Sequence, residues 1–422
     1  MNVLLLNNYF YLRGGSEKVL FEEMRILSEA EHRVAVFSRK DSKNKPSDYE
    51  DYFPPELNID STHFSFKSIR VVKELIYSKS ARVGLRKVIK DFQPNIVHAH
   101  NIYGRLTASV LDELKSSEIP TVLTLHDLKL LCPSYLMLNR GKVCEKCKTG
   151  KFYNAVLTGC HKNSRIASAI YALETWINHF FKKYESINYF ISPSRFLREK
   201  FIEYGWSPDR VVYIPNFIDS VQARSHSKVG KYLLYFGRLS REKGIKTLIK
   251  AMVSLKCKVG LTIAGDGPEQ LALQNLARAT YLPITFTGHL NGSRLREVIN
   301  GARAVVIPSE CYENAPLSLL ESFALGKPIV GAKIGGISEM IEDGVDGYLF
   351  EPGSIDDLSD KLNLILGLED NKIIAMGQAA KEKIKKQYNK NLHFKKLMQL
   401  YQTALSKSNG SFFDNKKLRN PM

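Results

Sequence analysis

Apolar runs of four to six residues, each followed by a longer amphipathic stretch, recur along the whole chain. Short runs without polar alternation are the pattern of strands covered on both faces, and such strands alternate with helices in parallel α/β layers. A first series of strands is expected at residues 3–6, 34–38, 96–99, 122–125 and 189–192, with helices that include 17–30 and 81–91. The rhythm restarts at 232–236 and continues through 261–264, 284–287, 304–308 and 328–331. Two doubly wound units follow, and a length of 422 residues suits two or three domains. The polar stretch 216–230 separates them. It sets a first domain at 1–217 and a second at 228–385, followed by a helix over 386–406 and a basic tail over 407–422.

Hydrophobic residues are 44% and charged residues 25%, which excludes a disordered or fibrous chain. No apolar run approaches the ~18 residues of a membrane span, and residues 1–6 lack the features of a signal peptide. A cytoplasmic protein is expected. With 61 Lys plus Arg against 43 Asp plus Glu, the net charge of +18 asks for an anionic partner: nucleic acid, an acidic membrane face or a phosphorylated small molecule. One segment concentrates that charge. Residues 67–90 carry Lys67, Arg70, Lys73, Lys79, Arg82, Arg86, Lys87 and Lys90 with Ile69, Val71, Val72, Leu75, Ile76 and Tyr77 interleaved. This is either a membrane-surface helix or a solvated helix packed on its own sheet.

Ligands of doubly wound sheets bind beyond the carboxyl ends of the strands, so the residues closing each apolar run are the first site candidates. The run 3–6 leads into Arg13, Gly14, Gly15, Ser16 and Glu17 at a helix start, either an anion site or a tight turn. His98 and His100 close one run and read best as satisfied interior residues; His126 and Asp127 close the next. The run 232–236 ends in Gly237 and Arg238, followed five residues after Arg238 by Lys243 and then Gly244. Two fixed cations on a strand-to-helix loop suit a diphosphate, where they stabilise charge growing on a departing phosphate. The run 304–308 leads to Glu313, Asn314 and Pro316, with Glu321 further along the helix that Pro316 opens. Glu313 is placed to meet a sugar, and Glu321 to accept from vicinal ribose hydroxyls. Gly335, Gly336, Gly344 and Gly347 form tight loops at the same edge.

Five ordered motifs carry a resemblance. They are Gly237-Arg238 through Lys243-Gly244; Ala264 to Pro268; Glu313 and Glu321 separated by seven residues; Gly335-Gly336-Ile337-Ser338-Glu339; and Asp343-Gly344 through Gly347. Together they resemble the family 4 glycosyltransferases, and the likeness extends to about Tyr401, taking in Gly14-Gly15, Leu125-His126-Asp127, Ser192-Pro193-Ser194 and Ile214-Pro215-Asn216. The resemblance implies the GT-B fold, two Rossmann-like domains facing each other across a cleft. It also implies sugar transfer from a nucleotide donor with retention and without a catalytic cofactor or required metal. Arg238 and Lys243 would hold the donor diphosphate, Glu321 the ribose and Glu313 the sugar hydroxyls. His126 would reach the sugar from the other domain, Gly14 and Gly15 would admit the diphosphate or acceptor, and Gly237, Asn314 and Leu317 would complete the donor site. The chain departs from the pattern at Asn314-Ala315-Pro316, where many members carry a glycine-rich stretch.

Cys132, Cys144, Cys147 and Cys160 fall within one insert, about 130–162, separated by eleven, two and twelve residues. A Cys-x-x-Cys flanked by two more cysteines is able to close a tetrahedral zinc site, so a structural zinc is expected, with iron–sulfur ligation or free thiols as the other readings. Disulfides fit a reducing compartment poorly. The expected partners are a UDP- or GDP-sugar and a glycan or lipid-linked acceptor at the inner membrane face, in surface polysaccharide synthesis. A GT-B epimerase or phosphorylase matches the motifs less well. A nucleic-acid module is disfavoured because the basic residues are dispersed and no nucleic-acid motif is present.

Overall fold

The computed structural model describes residues 1–57, 66–219 and 229–417. The first domain holds strands β1 (Asn2–Leu6), β2 (Arg33–Phe37), β3 (Ile96–Ala99) and β4 (Thr121–Thr124), a small hairpin of β5 (Leu138–Asn139) and β6 (Lys142–Val143), then β7 (Tyr189–Ser192) and β8 (Val211–Tyr213). Apart from the hairpin these form one parallel sheet in the order β2-β1-β3-β4-β7-β8. Its helices are α1 (Gly15–Glu29), α2 (Phe66–Ile76), α3 (Lys79–Phe92), α4 (Ser109–Ser116), α5 (Tyr153–Thr158), α6 (Arg165–Phe180) and α7 (Arg195–Glu203). The second domain holds β9 (Tyr232–Phe236), β10 (Gly260–Ala264), β11 (Ile284–Gly288), β12 (Ala302–Ile307), β13 (Ile329–Ala332) and β14 (Gly347–Phe350), in the order β11-β10-β9-β12-β13-β14 and again parallel. Between and after these strands run α8 (Ile245–Val253), α9 (Gln270–Thr280), α10 (Gly292–Gly301), α11 (Leu317–Ala324), α12 (Ile337–Met340), α13 (Ile355–Gly367), α14 (Asp370–Gln387) and α15 (Lys390–Lys417).

The two doubly wound α/β units expected from the apolar rhythm are therefore present. Residues of β1, β3, β4 and β7 are buried throughout or nearly so, as parallel strands covered on both faces must be. The edge strands β8 and β14 were not expected. They are three and four residues long and only partly buried, so their apolar signal is weak.

One expectation is corrected, and for α3 the structure favours one of two open readings. The helix expected over 386–406 is α15, which begins at Lys390 and runs through the supposed tail to Lys417. It crosses back to the first domain, where Leu397, Leu400, Tyr401 and Ala404 pack with Val3, Leu5, Leu20 and Ile191. Residues 418–422 of the tail, and 220–228 of the inter-domain stretch, lie outside the described residues. The basic segment 67–90 is two helices, α2 and α3, separated by Tyr77 and Ser78. The apolar face of α3 (Ala81, Leu85, Val88 and Phe92) belongs to the domain core, while Arg82 and Arg86 pair with Glu113 of α4. That face is not free for lipid; the side chains of Lys67, Ile69 and Arg70 lie outside the described residues.

Candidate active site

The order of the second sheet sets β9 beside β12 at the point where the connections change direction, and the loops after these strands bound the crevice that ligands use in such sheets. Gly244 (φ +67°) lets the loops touch: a Cβ there would lie 1.8 Å from the Pro308 carbonyl oxygen. Lys243 Nζ then donates to Glu313 Oε1 at 2.5 Å, and Ser309 Oγ donates to the same oxygen at 2.6 Å. Burial by itself would raise the Glu313 carboxyl, but the Lys243 charge and the two hydrogen bonds hold it below its ordinary value. Burial likewise opposes the Lys243 ammonium, and Glu313 outweighs it, so its pKa is raised. Both groups carry their charge at neutral pH. No donor among the described residues reaches Glu313 Oε2, which leaves an acceptor for a ligand hydroxyl.

Arg238 is exposed on the same loop, with its carbonyl accepting from the Tyr235 hydroxyl at 2.7 Å. Its guanidinium has no ion-pair partner among the described residues. The helix α11 starts with Pro316 as N-cap and no side-chain cap, so its first N–H groups stay open to an anion. Further along, Glu321 is ion-paired with Lys18 of α1, across the cleft. The two residues border a cavity of about 160 Å³ that Glu22, Phe217, Asp219 and Leu317 also line. Gly14 is the N-cap of α1, and a Cβ on Gly15 would sit 3.7 Å from Leu317 Cδ1, so this glycine pair faces the start of α11. Gly237 closes β9 at the same edge.

Asn314 joins the domains. Its Nδ2 donates to the Leu125 carbonyl at 2.8 Å, and its Oδ1 accepts from Ser194 Oγ at 2.7 Å. The residue that breaks the glycine-rich pattern thus bridges the ends of β4 and β7 and brings His126 to the loop that carries Glu313. Gly335 and Gly336 lie against that loop: a Cβ on Gly336 would be 1.6 Å from the Asn314 carbonyl oxygen, and its N–H donates to the Glu313 carbonyl at 2.8 Å. Three residues on, Glu339 accepts from the Arg195 and Phe196 N–H groups at 2.9 and 2.8 Å, adding to the Ser194 side-chain cap at the N-terminus of α7 from the other domain.

His126 Nε2 lies 2.9 Å from His100 Nδ1, with the rings stacked. Burial, then the neighbouring His100, lowers the His126 pKa well below its ordinary value and keeps the ring neutral. Behind it, Glu23 Oε2 stands 3.4 Å from His100 Nε2 and 3.2 Å from His98 Nδ1, and Glu23 Oε1 is 3.2 Å from His393 Nε2. Burial would raise the Glu23 carboxyl, and the surrounding imidazoles outweigh it, so it is lowered. Glu23, His98 and His100 each offer an atom within 4.8 Å of the others, as a metal site would. Yet both His98 nitrogens are already engaged, by the Tyr401 hydroxyl at 2.8 Å and Thr124 Oγ1 at 2.7 Å, so His98 is a hydrogen-bonded interior residue. The interior reading holds for His98. His100 does more, since it fixes the ring of His126.

Cys132, Cys144, Cys147 and Cys160 form no disulfide and line one cavity of about 10 Å³. Burial raises the Cys132 thiol and pushes Cys147 up to about 12. Their insert reaches the cleft: the Tyr312 hydroxyl donates to Glu145 Oε1 at 2.9 Å, and a Cβ on Gly141 would meet Arg241 Nη2 at 3.4 Å.

The structure thus gathers Arg238, Lys243, Glu313, Asn314, Leu317, Glu321, Gly14, Gly15 and His126 around one cleft and holds the four cysteines apart from it. Sequence reasoning missed Lys18, Glu23, Ser194, Ser309 and the linking role of His100. Ser194 and Glu339 lay inside motifs already singled out; Lys18 and Glu23 carry no local signal, because their partners are distant in sequence.

The family model described as Glycosyl transferases group 1 matches residues 218–383, and that described as Glycosyltransferase Family 4 matches 13–222. A glycogen synthase of Mycobacterium tuberculosis is 26% identical over 378 residues, 84% of this chain and 82% of that protein. The sulfoquinovosyl transferase SQD2 of Arabidopsis thaliana is 33% identical over 157 residues, 36% of this chain, and the match spans only 30% of that enzyme. Among solved structures, the Anabaena protein HepE in complex with UDP superposes with a TM-score of 0.63 at 17% identity, covering 96% of this chain and 100% of that one. The likeness is one of fold.

Proposed function

Because the chain belongs to the family 4 glycosyltransferases of the GT-B type, we propose that it transfers a sugar from a nucleoside diphosphate donor to a hydroxyl of a glycan acceptor, with retention and without a catalytic metal. The observation that carries this reading is the Lys243–Glu313 pair at the sheet's switch point, beside the open end of α11 and joined through Asn314 to His126. Lys243, Arg238 and the first N–H groups of α11 receive the diphosphate and neutralise the charge that grows on it as the sugar–phosphate bond breaks. Glu321 exchanges Lys18 for the ribose hydroxyls. Glu313 Oε2 accepts from the sugar, and the neutral His126 orients it from the opposite wall.

Glu313 is a poor base while its charge is tied to Lys243. The acceptor proton is therefore assigned to the leaving phosphate oxygen, which lies on the face the acceptor attacks, and this gives retention. A uridine donor is favoured by the fold shared with HepE, whose structure contains UDP. The acceptor is taken to be a lipid-linked glycan in surface polysaccharide synthesis at the inner membrane face. The four cysteines enter the same reading as ligands of a structural zinc that orders the insert against the cleft.

A screen of UDP- and GDP-sugars for donor hydrolysis and thermal stabilisation, followed by nuclear magnetic resonance of the product's anomeric centre, tests the reading. Stabilisation by one nucleotide sugar, lost with Lys243→Ala, is expected. An inverted product would remove the same-face mechanism, and a donor bound away from the β9 and β12 edge would remove the site.

A further inference from the structure

Helix α6 is built inside out. Its buried face is mostly polar: Ser168, Glu174, Thr175 and Asn178 point inward beside Ala172. They are paired there, with Lys129 Nζ 2.8 Å from Glu174 Oε2 and 3.1 Å from Thr175 Oγ1, Asn178 Nδ2 donating to Glu174 Oε1 at 2.7 Å, and Ser168 Oγ accepting from the His161 N–H at 3.0 Å. Its outer face is apolar. Ile166, Leu173, Trp176 and Phe180 follow one another at spacings that fall on one side of a helix, and Trp176 and Phe180 are 50% and 64% exposed. Phe181 lies against Phe180, and Leu157 of the neighbouring α5 is exposed as well, at 62% and 68%. The Trp176 ring stacks on Phe180, and Phe181 meets Phe180 edge-on, so the three rings form one contiguous patch. From Ile166 to Phe180 it extends about 20 Å. A patch of this size on a folded domain marks an interaction surface.

We propose that the α5–α6 face is a docking surface for an anionic lipid bilayer. Charge complementarity selects this occupant. Exposed Lys151, Lys162 and Arg165 rim the stripe without an ion-pair partner among the described residues, and Lys182 shares Glu185 at 3.4 Å. Aromatic and aliphatic side chains on one helix face with basic residues at its margin match the boundary between acyl chains and headgroups. No helix among the described residues is long and apolar enough to cross a membrane, so the proposed contact is a surface one. The inner side of α6 is tied to the cleft: Lys129, which neutralises Glu174, also donates its backbone N–H to Asp127 Oδ1 at 2.8 Å, next to His126. Docking by α6 therefore brings the wall that carries His126 to the bilayer, where a lipid-linked acceptor is held. The surface itself does not depend on the transfer reading; only this last consequence rests on it.

The full chain is tested by co-sedimentation with vesicles of phosphatidylglycerol and phosphatidylcholine, with vesicles of phosphatidylcholine alone as control. Expected are binding to the anionic vesicles that weakens with salt, and quenching of tryptophan emission by brominated lipid that Trp176→Phe abolishes while binding persists. The variant L173S/W176S/F180S leaves the polar inner face intact, so its far-ultraviolet circular dichroism is expected to be unchanged and its affinity for anionic vesicles at least about tenfold lower. No vesicle binding by the wild type, or equal binding by the variant, overturns the proposal. So does a wild-type dimer that the same substitutions dissolve without any lipid binding. Donor hydrolysis measured without vesicles reports on the transfer reading separately.

Discussion

At the residue scale, the charged pair Lys243–Glu313 ties site chemistry to stability. Removal of either cation, by Arg238→Ala or Lys243→Ala, is expected to cut turnover about two to three orders of magnitude, as losing a transition-state contact does. The two variants differ in folding. Arg238 is exposed and its loss leaves stability near wild type, whereas Lys243→Ala leaves the partly buried Glu313 with only Ser309 as donor and costs about 1 to 2 kcal/mol. Denaturant titration beside steady-state kinetics separates them, and near-normal transfer by both would remove the cation clamp.

The buried imidazoles set a pH dependence. Burial lowers His98 from 6.5 to about 3 and His161 to about 4. Each is neutral when folded and takes a proton near 6.5 when unfolded, so the unfolded chain binds more protons below that pH. Their stabilisation is complete above about 6.5 and is lost as pH falls toward 4 and 3. The lowered Glu23 carboxyl acts in the same direction further down, with its contribution lost as pH falls below its ordinary value. Urea midpoints should fall steadily from pH 7 to pH 5; a flat profile would show that the imidazoles are protonated within the fold.

At the scale of elements, the cysteine insert has too little core to hold itself. Its own buried cluster is Cys147, Phe152, Ala155 and Ala172, and its two strands have two residues each. Seven Lys and Arg residues between Arg140 and Arg165, against Glu145 alone, suit the net negative charge of a tetrathiolate centre. About one zinc per chain is expected from metal analysis, with cobalt replacement giving the intense absorption of tetrahedral thiolate ligation, and C144S/C147S losing both. Metal-free protein with an unchanged melting temperature would leave the four as ordinary thiols.

On the scale of the whole molecule, α15 makes the two domains interdependent. It leaves the second domain and completes the first, covering one side of the β1, β3 and β7 sheet, while the Tyr401 hydroxyl contacts His98. Deletion of residues 390–422 would expose that core and is expected to yield aggregated or unfolded first domain, seen by circular dichroism and gel filtration. Tyr401→Phe removes one hydrogen bond within the same packing and should cost only about 1 kcal/mol. If the truncated chain folds and turns over normally, α15 is an appendage rather than part of the core.

The sequence by itself determined the layered architecture and the edge at which the site lies. Full burial of a parallel strand forces an uninterrupted apolar run, and ligand residues of such sheets must follow those runs. The placement of Arg238, Lys243, Glu313 and His126 at that edge was legible for that reason. Tertiary structure alone decided which of them meet. The Lys18–Glu321 pair, the Asn314 bridge, the His126–His100–Glu23 chain and the return of α15 join residues far apart in the chain, and no local pattern encodes a contact whose partner is so distant in sequence. The inverted face of α6 belongs to the same class: its apolar residues read as core until Lys129 and Glu174, 45 positions apart, are seen to pair beneath it.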